Sequence, residues 1–224
     1  MTLLTKQEQE QVAAAISAVE QETDAEIVTV LTAQADNYAY IPLLWAGLIA
    51  LVVPGIVNYF AGWLTADTLL LGQWGVFIVL SLIFRLPGIN RRLIPRSVRY
   101  WRASNLARRQ FLEQNLHHTA GATGMLIFVS EAERYVEILV DEGISSKIDN
   151  SAWDAIIADF TEQVKKGKTL HGFITCIEAC GTHLKTQLPA THQKNELPNH
   201  LVIFLERALA RRLSTHKKSK ATVQ

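Results

Sequence analysis

The chain has 224 residues, 49% of them hydrophobic, and a formal net charge of only +1. This length predicts one domain, or one domain with an accessory segment. Its two cysteines, Cys176 and Cys180, exclude a disulfide framework and favour a reducing compartment.

Charge is segregated along the chain despite the near-zero sum. Residues 1–36 carry seven acidic side chains and one lysine, whereas residues 85–109 carry eight arginines and no acid. Segregation on this scale indicates a charged boundary, such as a membrane surface or a charged partner. The first 26 residues are polar and acidic, which argues against a secretory signal peptide there.

Residues 1–36 predict the first helix and the first strand of an α/β domain. Thr5 and Glu8 form a capping-box pattern that begins a helix. The β-branched run 25–33 is typical of a strand that is buried on both faces.

Residues 37–86 predict a transmembrane hairpin inserted into this domain. A spanning helix needs about 20 mostly apolar residues, and the spans are expected near 41–61 and 68–86. Pro54 and Gly55 predict a kink in the first span and not its end. The alternative is a pair of buried helices in a soluble protein, but soluble cores rarely need two consecutive helices of this kind.

Arginine distribution predicts the orientation of the hairpin. Six arginines lie within about 20 residues of the second span, where positive charges set topology, whereas the linker 62–67 has no lysine or arginine. The soluble domain and both termini are therefore expected on the cytoplasmic side of a bacterial inner membrane. Anionic lipid headgroups are the expected partners of Arg85–Arg102. Nucleic acid is not expected, because only Tyr100 and Trp101 supply stacking aromatics there.

Residues 87–190 predict the remainder of the α/β domain. The connection from the first strand to the second should be a right-handed parallel crossover. Ser151 is the expected N-cap of the clearest amphipathic helix. The expected elements are a basic helix near 98–118, an antiparallel strand pair at 125–130 and 135–140, and helices at 151–166 and 169–187.

Residues 191–224 predict a basic C-terminal helix and tail. The apolar spacing in 200–213 favours a helix that packs beside the domain or lies on anionic lipid. The alternative is a short strand at 201–205 followed by a disordered tail.

Several stretches resemble the TPM-domain family: "DAEIVTVL", the strand pair "MLIFVSEAERYVEILV", the pair Gly143–Ile144, and Asp149 before a helix. The resemblance implies an α/β sandwich with a mixed sheet. It also implies a loop site at one edge of the sheet, suggested to bind cations or to hydrolyse phosphate esters. The family includes plant thylakoid-lumen proteins tied to photosystem repair, a receptor accessory protein and bacterial membrane proteins. Asp141 and Glu142 stand where many members have glycines.

The loop 141–149 is the candidate metal site. Asp141, Glu142 and Asp149 supply the hard oxygen ligands that Ca²⁺ or Mg²⁺ prefers. The alternative is a solvated turn in which an acid stabilises a helix N-terminus. No cofactor other than such a cation is expected.

Cys176, Cys180 and His183 share one flank of a predicted helix and could hold zinc, but no fourth ligand is evident. Small core residues are the alternative interpretation of these cysteines. His117 and His118 are best explained by a favourable position near a helix C-terminus.

Two functions follow from these patterns. The first is a membrane-anchored binding or accessory module that helps to assemble or maintain a membrane protein complex with an unidentified membrane protein. The second is a phosphatase that uses a divalent cation in the loop 141–149. Catalytic residues stay unassigned, because the sequence contains no recognisable nucleophile or phosphate-loop motif.

Overall fold

A computed structural model describes residues 4–60, 62–86, 89, 92–119, 121–191 and 201–204. The chain divides into two compact units. We call them the α/β unit (residues 1–36 and 100–224) and the hairpin unit (residues 37–99). The expected insertion ended at residue 86, whereas the hairpin unit continues to Arg99.

The described residues form eleven α-helices and β-strands and one 3-10 helix, Leu116–His118. The α-helices and β-strands are α1 (Lys6–Glu20), β1 (Glu26–Thr32), α2 (Tyr40–Phe60), α3 (Ala66–Ile83), α4 (Arg96–Glu113), β2 (Gly124–Ser130), β3 (Tyr135–Val140), α5 (Glu142–Ser145), α6 (Ser151–Lys165), α7 (Thr169–Gln187) and β4 (Leu201–Phe204). The order agrees with the sequence analysis except for the short helix α5, which was not expected, and the last element. The capping box of α1 is present: the Thr5 side chain accepts a hydrogen bond from the Glu8 N–H, and the Glu8 carboxylate accepts one from the Thr5 N–H.

The described strands form one mixed sheet in the order β3-β2-β1-β4. β1 pairs in parallel with β2 and with β4, whereas β3 is antiparallel to β2. The expected α/β fold with a mixed sheet is therefore confirmed, as is the parallel relation of β1 and β2.

Helices cover both faces of this sheet. α1, α6 and α7 contribute to the apolar core on one face, where Ile27 and Leu31 of β1 are buried. α4 packs on the other face, where Val28 and Val30 of β1 are buried. Because successive residues of a strand point to opposite faces, this two-sided burial explains the continuous apolar run that the sequence shows.

The helix predicted at 200–213 is wrong for its first residues. Leu201–Phe204 form β4, whose register pairs Val30 with Val202, so the alternative of a short strand is correct there. The physical reason is the free edge of β1: an apolar, β-branched segment that pairs with it satisfies backbone groups on both strands. The remainder of the predicted helix and the basic tail lie outside the described residues.

Two predicted helix ends also differ from the structure. Asn150, and not Ser151, is the N-cap of α6. The Asp149 carboxylate accepts a hydrogen bond of 2.9 Å from the Ser151 N–H, so it satisfies one of the free donors at the helix start. α4 ends at Glu113, before residue 118, and Asn115 adopts a left-handed conformation with φ 58°. Asparagine tolerates that conformation better than most residues.

The hairpin unit contains two helices long and apolar enough to cross a membrane. α2 has 21 residues and continues through Pro54, and α3 has 18 residues. Large apolar side chains project from both helices; Leu51 is 68% exposed and Leu71 is 74% exposed. The buried residues of α2 include Ala46 and Ala50, small side chains that allow close helix packing.

Candidate functional site

The three predicted metal ligands lie where β3 ends and α6 begins. Asp141 is the N-cap of α5, and its carboxylate accepts a hydrogen bond of 2.9 Å from the Glu142 N–H. The side chain of Glu142 is exposed. Hydrogen bonds from Ser151 hold the pKa of Asp149 below its ordinary value.

The structure does not bring these carboxylates together. Among the described residues, no group of three or more His, Cys, Asp and Glu side chains is placed to hold a metal ion. Asp141 and Asp149 each bind backbone N–H groups at the start of a different helix. That is the arrangement of helix-capping acids, and the cation site stays a prediction.

Gly143, between the predicted ligands, has a packing role. Its N–H donates to the Ala122 carbonyl at 2.8 Å. A Cβ atom at this position would lie 2.2 Å from the carbonyl oxygen of Gly121. The Gly143–Ile144 pair that carries part of the family resemblance is therefore a place where two backbone segments meet.

The predicted cysteine and histidine cluster forms no common site. Cys176 and Cys180 are free and buried, at 2% and 0% exposure. The pKa of Cys176 is raised well above its ordinary value. The hydrogen bond with Cys180 is the largest cause, and burial is the second. His183 is exposed, and its ring meets that of Trp153 edge-on at 5.7 Å between centroids. Buried neutral thiols fit the packing interpretation.

A polar cluster that the sequence analysis missed lies on the α4 face of β3. We call Ser104, Tyr135 and Glu137 the edge cluster. The Ser104 hydroxyl donates to Oε1 of Glu137 at 3.2 Å. Oε2 of Glu137 is buried, and among the described residues no hydrogen bond of ordinary length reaches it, although the nearby Tyr135 hydroxyl acts to lower the pKa of this carboxyl. A half-buried carboxylate that is only partly satisfied is costly to ionise, so this position requires an explanation beyond packing.

The pKa values of this cluster are perturbed by its environment. Desolvation raises the pKa of Glu137 above its ordinary value of 4.5, against the opposing effects of Tyr135, Ser104 and Arg108. Desolvation also raises the pKa of Tyr135 to about 12. Perturbed titratable groups of this kind cluster at functional sites more often than elsewhere.

Replacing Glu137 with glutamine is expected to raise the thermal midpoint at pH 7 and to change it less at pH 4. A raised pKa means that the folded state favours the protonated carboxyl. The penalty for burying the carboxylate is therefore absent below pH 4.5 and grows as pH rises through the folded-state pKa. Differential scanning fluorimetry at both pH values measures this. The exposed Glu178→Gln is the matched control, and an equal shift at both pH values would contradict the expectation.

A second buried carboxylate fixes the point where the chain leaves the α/β unit. Glu133 is 3% exposed and lies in the turn between β2 and β3. Its carboxylate accepts hydrogen bonds from the Ala35 N–H, at 3.2 Å, and from the Ser130 hydroxyl. Asp36 also forms an ion pair of 3.2 Å with Arg102. These contacts tie residues 35 and 36 to the α/β unit just before the hairpin unit begins.

Replacing Glu133 with alanine is expected to destabilise the fold by about 1–3 kcal/mol, because buried donors lose their acceptor. The affected groups are the Ala35 N–H and the Ser130 hydroxyl. Urea unfolding of the detergent-solubilised chain, followed by far-UV circular dichroism, measures the loss. Glu178→Ala, on an exposed face of α7, should leave the midpoint unchanged. An unchanged midpoint for Glu133→Ala would show that these contacts add no stability.

A weak signal for Glu137 exists in the sequence. In "YVEILV", strand alternation places the glutamate on the same face as Tyr135 and Leu139. A charged residue between two apolar ones on one face of a strand indicates a buried or partnered carboxylate. No comparable signal marks Glu133. Its partner Ala35 is distant in sequence, and its partner Ser130 is a common residue type.

The comparisons with known proteins agree with this architecture. Residues 94–183 match the family model TPM_phosphatase, described as the TPM domain. The NMR structure of the BA42 protein from the psychrophilic bacterium Bizionia argentinensis is similar to this chain, with a TM-score of 0.56 and 18% identity over 90% of this chain and 95% of BA42. At that identity the likeness concerns the fold. No curated protein matches the chain.

Proposed function

We propose that this protein, whose residues 94–183 match the TPM-domain family model, is a membrane-anchored binding module that helps to assemble or maintain a membrane protein complex. The observation that carries the proposal is the hairpin unit. Its two helices are long and apolar enough to cross a membrane, and in the sequence they stand between β1 and β2 of the α/β unit.

Solvation favours membrane insertion of this unit. Leu51, Leu71 and Leu82 are among many large apolar side chains with more than half of their surface exposed. Each square ångström of apolar surface in water costs about 25 cal/mol, and contiguous apolar patches mark membrane or protein contacts. The exposed Tyr59 lies in the last turn of α2 and the exposed Trp63 lies in the connection between the helices, where amphipathic rings suit a membrane–water interface.

Basic side chains next to the second helix supply the second contact with the membrane. Arg85, Arg92 and Arg96 are exposed. Anionic lipid headgroups attract such residues by about 1 kcal/mol each. We propose that the region Arg85–Arg102 and the basic C-terminal tail face the anionic cytoplasmic leaflet of a bacterial inner membrane.

The α/β unit then serves as the binding part. Asp141 and Asp149 cap helices, and the cysteines are buried in the core. Neither group is arranged as a nucleophile with its base. A scaffold whose polar residues stabilise loops and edges suits recognition of a partner.

A phosphatase that uses a divalent cation is the second candidate, and the name of the matching family model favours it. It would place Ca²⁺ or Mg²⁺ at Asp141, Glu142 and Asp149, where a bound cation would polarise a phosphoryl oxygen. The described side chains do not meet in one group, so the fit is poor. The binding module therefore ranks first.

Purification of the tagged full chain from its native membranes separates the two functions. The binding module predicts that a membrane protein copurifies in stoichiometric amounts and that phosphate release from p-nitrophenyl phosphate stays at background with Ca²⁺, Mg²⁺ or Mn²⁺. Phosphate release that Asp149→Ala abolishes, with unchanged circular dichroism, would replace the binding module by the phosphatase.

A further inference from the structure

β3 forms one edge of the described sheet, and its hydrogen-bonding register is fixed by its end. The Asp141 N–H donates to the Gly124 carbonyl at 2.9 Å, one position beyond the pair of Val140 with Met125. In an antiparallel ladder, alternate residues bond to the neighbouring strand. Tyr135, Glu137 and Leu139 therefore bond to β2, and the N–H and C=O groups of the residues between them point away from the sheet.

Those outward groups belong to Val136, Ile138 and Val140. Within the part of the chain that the structure describes, no backbone hydrogen bond from another segment reaches them. Natural sheet edges are usually protected by lysine, proline, bulges or a covering element. β3 has the sequence YVEILV, with neither lysine nor proline, and it pairs with β2 in an unbroken register.

Glu137 is the one charged residue within β3, and Arg108 of α4 is the charged residue whose field acts on its carboxylate. Oε1 of Glu137 accepts a hydrogen bond from Ser104, whereas among the described residues no hydrogen bond of ordinary length reaches its buried Oε2 atom. Glu137 bonds to β2, so it would form a non-hydrogen-bonded pair with a residue on an added strand. In such pairs the Cα atoms lie about 4.5 Å apart and the side chains are close. A cationic side chain at that point would lie beside the half-buried Glu137 carboxylate, on the same face of the sheet.

We propose that the open edge of β3 binds an extended segment of a partner protein by strand addition, with a lysine or arginine of that segment opposite Glu137. The inference rests on the proposed function as a binding module and names the chemistry of the segment it binds. Backbone hydrogen bonds to Val136, Ile138 and Val140 supply affinity, and Glu137 selects a basic side chain on the bound segment.

A second copy of this chain fits the edge less well. Antiparallel self-pairing centred on Glu137 places two carboxylates directly opposite each other, which is destabilising. Self-pairing centred on Ile138 places Glu137 opposite Leu139 of the second copy and supplies no cation for its carboxylate. The charge that disfavours self-association therefore selects a basic strand.

The test uses the full chain in lipid nanodiscs and two synthetic peptides of alternating threonine and valine that differ only in a central lysine or glutamate. We expect the lysine peptide to bind about tenfold more tightly, because cross-strand charges attract in one case and repel in the other. It should also slow amide hydrogen exchange at Val136, Ile138 and Val140. Glu137→Gln should remove most of this preference, whereas the exposed Glu178→Gln should retain it.

Three results would overturn the proposal. The first is that neither peptide slows amide exchange at the edge. The second is that both peptides bind equally, with and without Glu137. The third is that the edge amides are already protected from exchange in the free chain. Protection in a dimer would assign the edge to a second copy, and protection in a monomer would assign it to the chain's own tail. Because the peptides are supplied, a chain that binds the lysine peptide but recovers no membrane partner would count against the proposed function alone.

Discussion

Replacing Gly143 with alanine is expected to destabilise the α/β unit by about 3 kcal/mol or more, at the upper end of the cost of overpacking. The added Cβ would lie 2.2 Å from the Gly121 oxygen and 2.7 Å from the Ala122 oxygen. Both neighbours are backbone atoms, so no side-chain rotation relieves the contact. Separating the segments would also break the hydrogen bond from the Gly143 N–H to Ala122.

Chemical unfolding of the detergent-solubilised chain, with limited proteolysis of residues 119–150 as a local probe, measures this effect. Gly75→Ala is the matched control, since no neighbouring atom lies within 4 Å of the added Cβ. Alanine also favours a helix over glycine by up to about 1 kcal/mol. If Gly143→Ala unfolds at the same denaturant concentration as the original chain, the close approach of the two loops is not needed for stability.

The region around Gly143 shows how much of the fold and of the candidate site could be predicted from the sequence. The strand pair at β2 and β3 was predictable because its apolar residues are continuous and its connection is short. The chemistry of the following loop was not, because Asp141, Glu142 and Asp149 have the residue types of a cation site. Only the folded structure shows that Asp141 and Asp149 bind backbone N–H groups at two separate helix starts.

β4 shows a second limit of sequence interpretation. The apolar spacing in 200–213 matches a helix, and the helix propensities of these residues are compatible with one. What decides the outcome is the free edge of β1, on which Thr29–Thr32 pair with Leu201–Phe204. Pairing between segments that are distant in sequence leaves no mark in a local pattern, so a tertiary contact overrides the helical periodicity.

Glu133 carries no motif, and Glu137 carries only the weak signal of strand alternation, for a related reason. Each is a single glutamate in a common context, and what distinguishes it is burial against distant residues. The hairpin helices, in contrast, were predicted to within a few residues at each end. Their signal is length and the near absence of charge, which needs no tertiary information.

Labelling from one side of the membrane is expected to give an all-or-none result for the proposed topology. Thr65, the exposed N-cap of α3, lies between the two helices. Thr65→Cys should therefore react with a membrane-impermeant maleimide in intact cells. Ser214→Cys, in the C-terminal tail, should react only after lysis. Replacing Cys176 and Cys180 with alanine removes background reaction from the native thiols.

The physical reason is the uneven distribution of arginine. Arg85, Arg92 and Arg96 follow the second helix closely, whereas residues 62–67 contain no basic residue. Positive charges near a span stay on the cytoplasmic side, and placing arginine at the centre of a span costs about 2.5–3.5 kcal/mol. The inverted orientation would export the entire basic stretch. Labelling of Ser214→Cys in intact cells would refute the orientation, and protection of both cysteines until lysis would refute the hairpin itself.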